Sequence, residues 1–145
     1  MTLSTKALRA HLGRRELLQD VELNLDAREL VGIVSLDGDG ANALLSAIHR
    51  QLGPDAAYLR ARDLVDQTHD QLLRAAMALN PRCLLIDDSL FIHDEDRRSQ
   101  WMAALRALPV SAFVALRAPG AAASCDRLYI IEYGRVQRQN PPRRP

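Results

Sequence analysis

Residues 29–48 read ELVGIVSLDGDGANALLSAI. The stretch opens on a short apolar run, Leu30 to Val34, with the length and β-branched content of a buried strand. A glycine-bearing turn follows, Ser35-Leu36-Asp37-Gly38-Asp39-Gly40, and then a helical pattern in which Leu44, Leu45 and Ile48 share one face. Strand, glycine turn and helix in that order turn backbone N–H groups and a helix N-terminus toward an anion, the layout of a phosphate-binding loop. The candidate binding positions are Asp37, Gly38, Asp39, Gly40, Ala41 and Asn42. The charged parts of such a loop are missing. The motif G-x-x-x-x-G-K-[ST] uses its lysine on the phosphates and its hydroxyl on Mg²⁺. Here those two residues are Ala41 and Asn42, and the first glycine is Ser35.

A triphosphate at this turn would meet a helix dipole of about half a charge. It would also meet Asp37 and Asp39 with no lysine to offset them. Two like charges ~5 Å apart at an effective dielectric of ~20 repel by roughly 3 kcal/mol, about two decades in affinity. Asp37 can point away, so Asp39 carries more of this penalty. A turn that needs positive φ accounts for Gly38 and Gly40 without any ligand.

The 145 residues suit a single domain able to bury one core. Nineteen basic residues against eighteen acidic leave a net charge of +1, which selects no class of partner. Cys83 and Cys125 sit in apolar surroundings, away from any disulfide-framework spacing, and read as reduced, buried thiols that suit the cytosol. Met1 to Leu12 lacks the apolar core of a secretory signal, and no run has the length of a membrane span. The four histidines, His11, His49, His69 and His93, show no metal-ligand spacing, so zinc is not expected.

Around the central stretch, residues 5–12 and 21–25 read as two strands flanking the basic turn Gly13-Arg14-Arg15. The helix after the turn covers Ala41 to Leu52 and stops at Gly53-Pro54, and Ala57 to Leu59 makes a short strand. Gln67 to Leu79 carries the apolar stripe Leu72, Leu73, Ala76, Leu79 and ends at Asn80-Pro81. Cys83 to Ile86 is a buried strand closed by Asp87-Asp88, Glu95 to Leu108 a third helix, and Ala112 to Leu116 another buried strand. Leu128 to Ile131 and a strand around Val136 form a hairpin about Tyr133-Gly134. Strands alternating with helices imply a mostly parallel sheet covered on both faces, an α/β fold. Residues 1–137 form the domain, and the tail 138–145 (RQNPPRRP) is expected to be disordered, with nucleic-acid binding through it disfavoured.

Three segments resemble the ATP-binding cassette (ABC) ATPases. GRRELLQDVELNLDARELVGIV (Gly13 to Val34) is similar to the family's opening strands, ALNPRCLLIDDSLFIHDEDRR (Ala78 to Arg98) to its Walker B region, and CDRLYIIEYGRV (Cys125 to Val136) to its closing hairpin. The resemblance implies a P-loop NTPase-like core with an antiparallel N-terminal strand pair. It makes Asp87 the Mg²⁺ ligand, Asp88 the counterpart of the catalytic glutamate and Asp94 the D-loop aspartate. The LSGGQ signature falls on Asp63-Leu64-Val65-Asp66-Gln67, where only the glutamine agrees. The switch histidine falls at Leu116 or Arg117, and the adenine-stacking aromatic near His11 or Leu12. Only 26 residues separate Gly40 from Gln67, too few for the family's helical subdomain, which usually contacts a transporter's membrane subunit.

Each retained residue also has a plainer reading. Asp87 and Asp88 can cap backbone donors at a strand end, Asp94 can N-cap the helix from Glu95, and Trp101 can be packing. Cys125 has no evident base partner for a nucleophile role. The resemblance therefore implies a pseudo-ATPase in the cytoplasm, peripheral to the inner membrane through a partner, with no tightly bound cofactor and at most weak ATP/Mg. Its partner would be another ATPase-type subunit, a second copy of itself, or a transport or secretion component. The competing expectation is a shortened ATP-binding subunit of an ABC transporter that keeps weak ATP/Mg binding.

Overall fold

The computed structural model of the chain describes residues 3–12, 15–25, 29–35, 40–60, 68–87, 95–116, 125–132 and 135–139. The strand pair at the start is a hairpin of β1 (Leu3–Leu12) and β2 (Arg15–Leu25), with register shifts between Thr5 and His11. Arg15 belongs to β2 rather than to the turn, because it pairs with Leu12. The hairpin forms its own two-stranded sheet, with β1 beside the first helix and β2 beside the last strand.

The main sheet contains β3 (Leu30–Ser35), β4 (Ala56–Leu59), β5 (Cys83–Ile86), β6 (Ser111–Leu116), β7 (Arg127–Glu132) and β8 (Arg135–Gln139). Its order is β4-β5-β6-β3-β7-β8, parallel except for β8, which runs antiparallel to β7. The apolar runs predicted as buried strands are buried along their whole lengths in β5 and β6 and over Leu30 to Val34 in β3. Strand β8 takes in Arg138, opposite Tyr129, and Gln139, opposite Leu128, so pairing runs two residues into the stretch whose composition reads as a tail. Residues 140–145 lie outside the described residues.

Alternation along the strands divides the core in two. Val31, Ile33, Leu85, Phe113, Ala115, Tyr129 and Ile131 face α1 (Gly40–Leu52), against Leu44, Leu45 and Ile48. Val34, Leu84, Ile86, Val114, Leu116, Leu128 and Ile130 face α2 (His69–Ala78) and α3 (Glu95–Arg106), where Leu72, Leu73, Trp101 and Leu105 fill the other layer. Cys83 and Cys125 fall on opposite faces of the sheet, which bars a disulfide between them.

The helix ends follow local chemistry. Helix α1 gives way at Gly53, whose φ of +57° is the left-handed turn that glycine takes without strain, and Pro54 follows in a single 3₁₀ turn. Helix α2 starts at His69, later than the predicted Gln67, because Thr68 is its N-cap: Thr68 Oγ1 accepts from Gln71 N at 3.2 Å and Gln71 Oε1 from Thr68 N at 2.9 Å. It closes on Asn80 at φ +54°, with Asn80 N donating to Met77 O at 3.0 Å. Helix α3 ends at Arg106, short of the predicted Leu108, since Pro109 disfavours helical backbone at the residue before it.

A polar clasp at the N-terminal edge of the sheet sets β3 between β6 and β7. Ala112 N donates to Glu29 O at 3.0 Å, Glu29 N to Ser111 Oγ at 3.0 Å and Leu30 N to Asp126 Oδ2 at 2.8 Å. Arg127 grips the Glu29 carboxylate with Nε and Nη2 and reaches Tyr129 Oη with Nη1, while Arg106 pairs with Asp126 at 3.3 Å.

Candidate functional site

Strand β3 sits in the middle of the sheet, and the chain leaves it over one face through α1, then returns over the other through α2 and α3. In doubly wound sheets the crevice at such a reversal lies beyond the C-terminal ends of the strands, here those of β3, β5 and β6, and takes the ligand. Of the predicted binding positions, Gly40, Ala41 and Asn42 form the first turn of α1 at this edge. Asp37, Gly38 and Asp39 lie outside the described residues, as do Asp88 and Asp94.

Ala41, at the place of the lysine, is 6% exposed and packs its methyl into the core between α1 and the sheet. Asn42, at the place of the hydroxyl, has a buried Oδ1 without a hydrogen-bond partner. Asp87 leaves the end of β5 half-buried, with its N–H donating to Leu59 O at 3.0 Å. Leu85 faces α1, so the alternation of β5 turns Asp87 to the α1 side as well. Leu116, one of the two switch-histidine positions, is a buried core residue at the end of β6.

Four side chains that motif reading passed over complete this edge. Asn42, Ser46 and His49 recur at i, i+4 and i+7 and form a polar stripe on α1. Opposite them, edge strand β4 sends Tyr58 toward α1, with Arg60 just beyond its end. The His49 ring meets Tyr58 edge-on at 5.6 Å, and the Arg60 guanidinium lies 4.1 Å above the Tyr58 ring centre. Burial pushes the Tyr58 hydroxyl up from its ordinary pKa, and a hydrogen bond with Ser46 opposes this; the Asp87 charge raises it further, while Arg60 lowers it. The polar spacing on α1 was readable in the sequence, but the stronger apolar stripe beside it carries the helical pattern.

Burial raises both thiols to about 12; Cys83 is pushed further by Asp55 against Arg82, while at Cys125 Arg106 lowers and Asp126 raises the value. Neither is a nucleophile at neutral pH. Among the described residues no three or more His, Cys, Asp or Glu side chains gather to hold a metal. The Mg²⁺ that the resemblance to ABC ATPases implies could be bound by one or two protein oxygens together with phosphate and water. Asp87, with Asn42 Oδ1 left without a partner, fits that modest donor set. Among the described residues no helix is long and apolar enough to cross a membrane.

By sequence, no family model and no curated protein matches the chain. By structure it is similar to a nucleotide-free ATP-binding cassette from an ABC transporter, with a TM-score of 0.74 and 9% identity over 98% of this chain and 92% of that one. An ATP-binding cassette of an ABC transporter in its ADP conformation gives a TM-score of 0.72 at 9% identity, over 97% of this chain and 91% of that one. For cbiO1 from Clostridium perfringens, part of the ABC transporter complex cbiONQ, the TM-score is 0.68 at 12% identity, over 95% and 88% of the two chains. Identities this low speak for architecture alone, and on that architecture the chain has the fold of an ATP-binding cassette.

Proposed function

We propose that this chain is a degenerate ABC-type ATPase domain that does not hydrolyse ATP and serves as a binding, regulatory or structural subunit of a transport or secretion assembly. The observation that carries the reading is Ala41: the first turn of α1 presents a methyl group, 6% exposed, where a lysine would face phosphate. Phosphoryl transfer depends almost wholly on positioning and charge stabilisation, so losing that cation removes more than affinity. The start of α2 adds support. Its Thr68–Gln71 capping box uses donors that a phosphate at this helix end would need, and Asp70 stands in its first turn. What remains to the fold is its surface, and we assign its role to protein contacts. The partner is another ATPase-type subunit, a second copy, or a component of the assembly, on the cytoplasmic side and held at the inner membrane by that partner. The three similar structures come from ABC transporters or a complex of one, which is the context this proposal borrows.

Asn42 favours a second reading, a shortened ATP-binding subunit that keeps weak ATP/Mg. Its unpartnered Oδ1 and the Asp87 carboxylate would hold Mg²⁺, which would screen phosphate charge. Phosphate release by the purified chain tests the non-hydrolysing assignment, and submillimolar ATP/Mg affinity abolished by Asp87→Asn would favour the second reading. Wild type and Asp88→Asn should give the same background rate. Turnover that disappears in Asp88→Asn would overturn the non-hydrolysing assignment.

A further inference from the structure

The seam between α1 and β4 gathers six half-buried polar residues: Asn42, Ser46 and His49 on α1, Tyr58 and Arg60 at β4, and Asp87 after β5. Its geometry puts Arg60 at the level of the first turn of α1. Ser46 meets Tyr58, which fixes the vertical register of helix against strand. From that contact, four residues back along α1 to Asn42 climb about 6 Å. Two residues forward along β4 to Arg60 climb about 6.6 Å. Helix and strand run in opposite directions, so both steps lead to the same C-terminal edge of the sheet. The partners across β5 agree: Leu59 pairs with Ile86, which places Arg60 beside Asp87.

We propose that Arg60 is the phosphate-facing cation of this cassette, taking over from the end of edge strand β4 the charge that position 41 has lost, with Tyr58 as the platform that orients it. An arginine suits this task better than a lysine would from the same distance. Its planar guanidinium stacks on an aromatic face and still offers five N–H donors, enough to keep a protein partner and bind an oxyanion. Stacking 4.1 Å above Tyr58 limits the freedom of the guanidinium. Tyr58 is held in turn by His49 and Ser46, so the cation is braced from α1, the helix whose first turn borders the crevice. The inference rests on reading that crevice as the remnant of a nucleotide site, and it names the residue on which any remaining affinity for phosphate depends.

The test is calorimetric titration of the full chain with inorganic tripolyphosphate and, separately, with ATP, each with and without Mg²⁺. Wild type, Arg60→Gln, Arg60→Lys and Tyr58→Leu are compared, with folding checked by the fluorescence of Trp101. Wild type should bind both polyanions weakly, and Arg60→Gln should weaken both by at least about tenfold, the worth of a charge-assisted hydrogen bond. Tyr58→Leu should weaken binding with the arginine still present, and Arg60→Lys should fall between wild type and Arg60→Gln. Equal losses for both ligands would assign the shared chemistry to the phosphates; a loss confined to ATP would overturn the proposal by placing Arg60 on the nucleoside. Equal affinity in wild type and Arg60→Gln, or no binding of either ligand by wild type, would also overturn it. Phosphate release measured in the same samples reports separately on the non-hydrolysing reading. Turnover would defeat that reading and leave the assignment of Arg60 to the affinities.

Discussion

Arg127 and Glu29 hold a buried charge pair at 10% and 11% side-chain exposure, and the residues around them show why it persists. Arg127 donates to both carboxylate oxygens and to Tyr129 Oη, while the Glu29 backbone bonds to Ser111 and Ala112 of the next strand. The pair therefore ties β7 to the entry of β3 and, through the Glu29 backbone, to β6. Removing one partner strands the other charge in a medium that cannot solvate it. Arg127→Leu or Glu29→Leu alone should each cost about 3–5 kcal/mol in urea unfolding. Replacing both together should cost much less than the sum, because two apolar side chains leave no charge unpaired. Additive losses would mean that the two residues act independently. At the opposite edge the same logic works through absence. A methyl at Ala41, packed at 6% exposure, gives the core a little apolar area and gives an anion nothing.

The capping box that opens α2 is worth about 1 kcal/mol, so Thr68→Ala should lower stability by that much without changing the fold. A loss below a few tenths of a kcal/mol in urea unfolding would show that the box does not hold this helix start. The box also illustrates what could be read ahead of the structure. Apolar runs ending in turn residues placed β3, β5 and β6 within a residue, because runs so short and so bounded suit a buried strand and are too short for a helix. Boundaries set by side-chain hydrogen bonds or by proline were harder. Thr68 shortened α2, Pro109 shortened α3, and Arg138 stayed in β8 despite its basic, proline-rich neighbourhood. The site divided along similar lines. Missing groups at 41 and 42 could be counted from a motif, whereas Tyr58 and Arg60 gained meaning only once β4 lay beside α1. No local pattern states which strands become neighbours, and the order β4-β5-β6-β3-β7-β8 comes from long-range packing.

The molecule as a whole combines an ATP-binding cassette fold with two buried thiols and a buried methyl at position 41, where the motif has its lysine. Both thiols titrate near 12 when folded, against 9.0 as the ordinary value, so between those pH values the unfolded chain holds fewer protons than the folded one. Stability contributed by the neutral thiols is therefore fully present below pH 9 and lost as pH rises toward 12, at about 1.4 kcal/mol per pH unit per thiol. Urea unfolding across this range should fall more steeply for wild type than for the Cys83→Ala, Cys125→Ala double variant, and identical slopes would refute the assignment. The central claim concerns the crevice, and calorimetric titration of the full chain with ATP in excess Mg²⁺ tests it most directly. The account predicts no binding tighter than about 1 mM; a saturable, submillimolar isotherm that disappears in Asp87→Asn would contradict it.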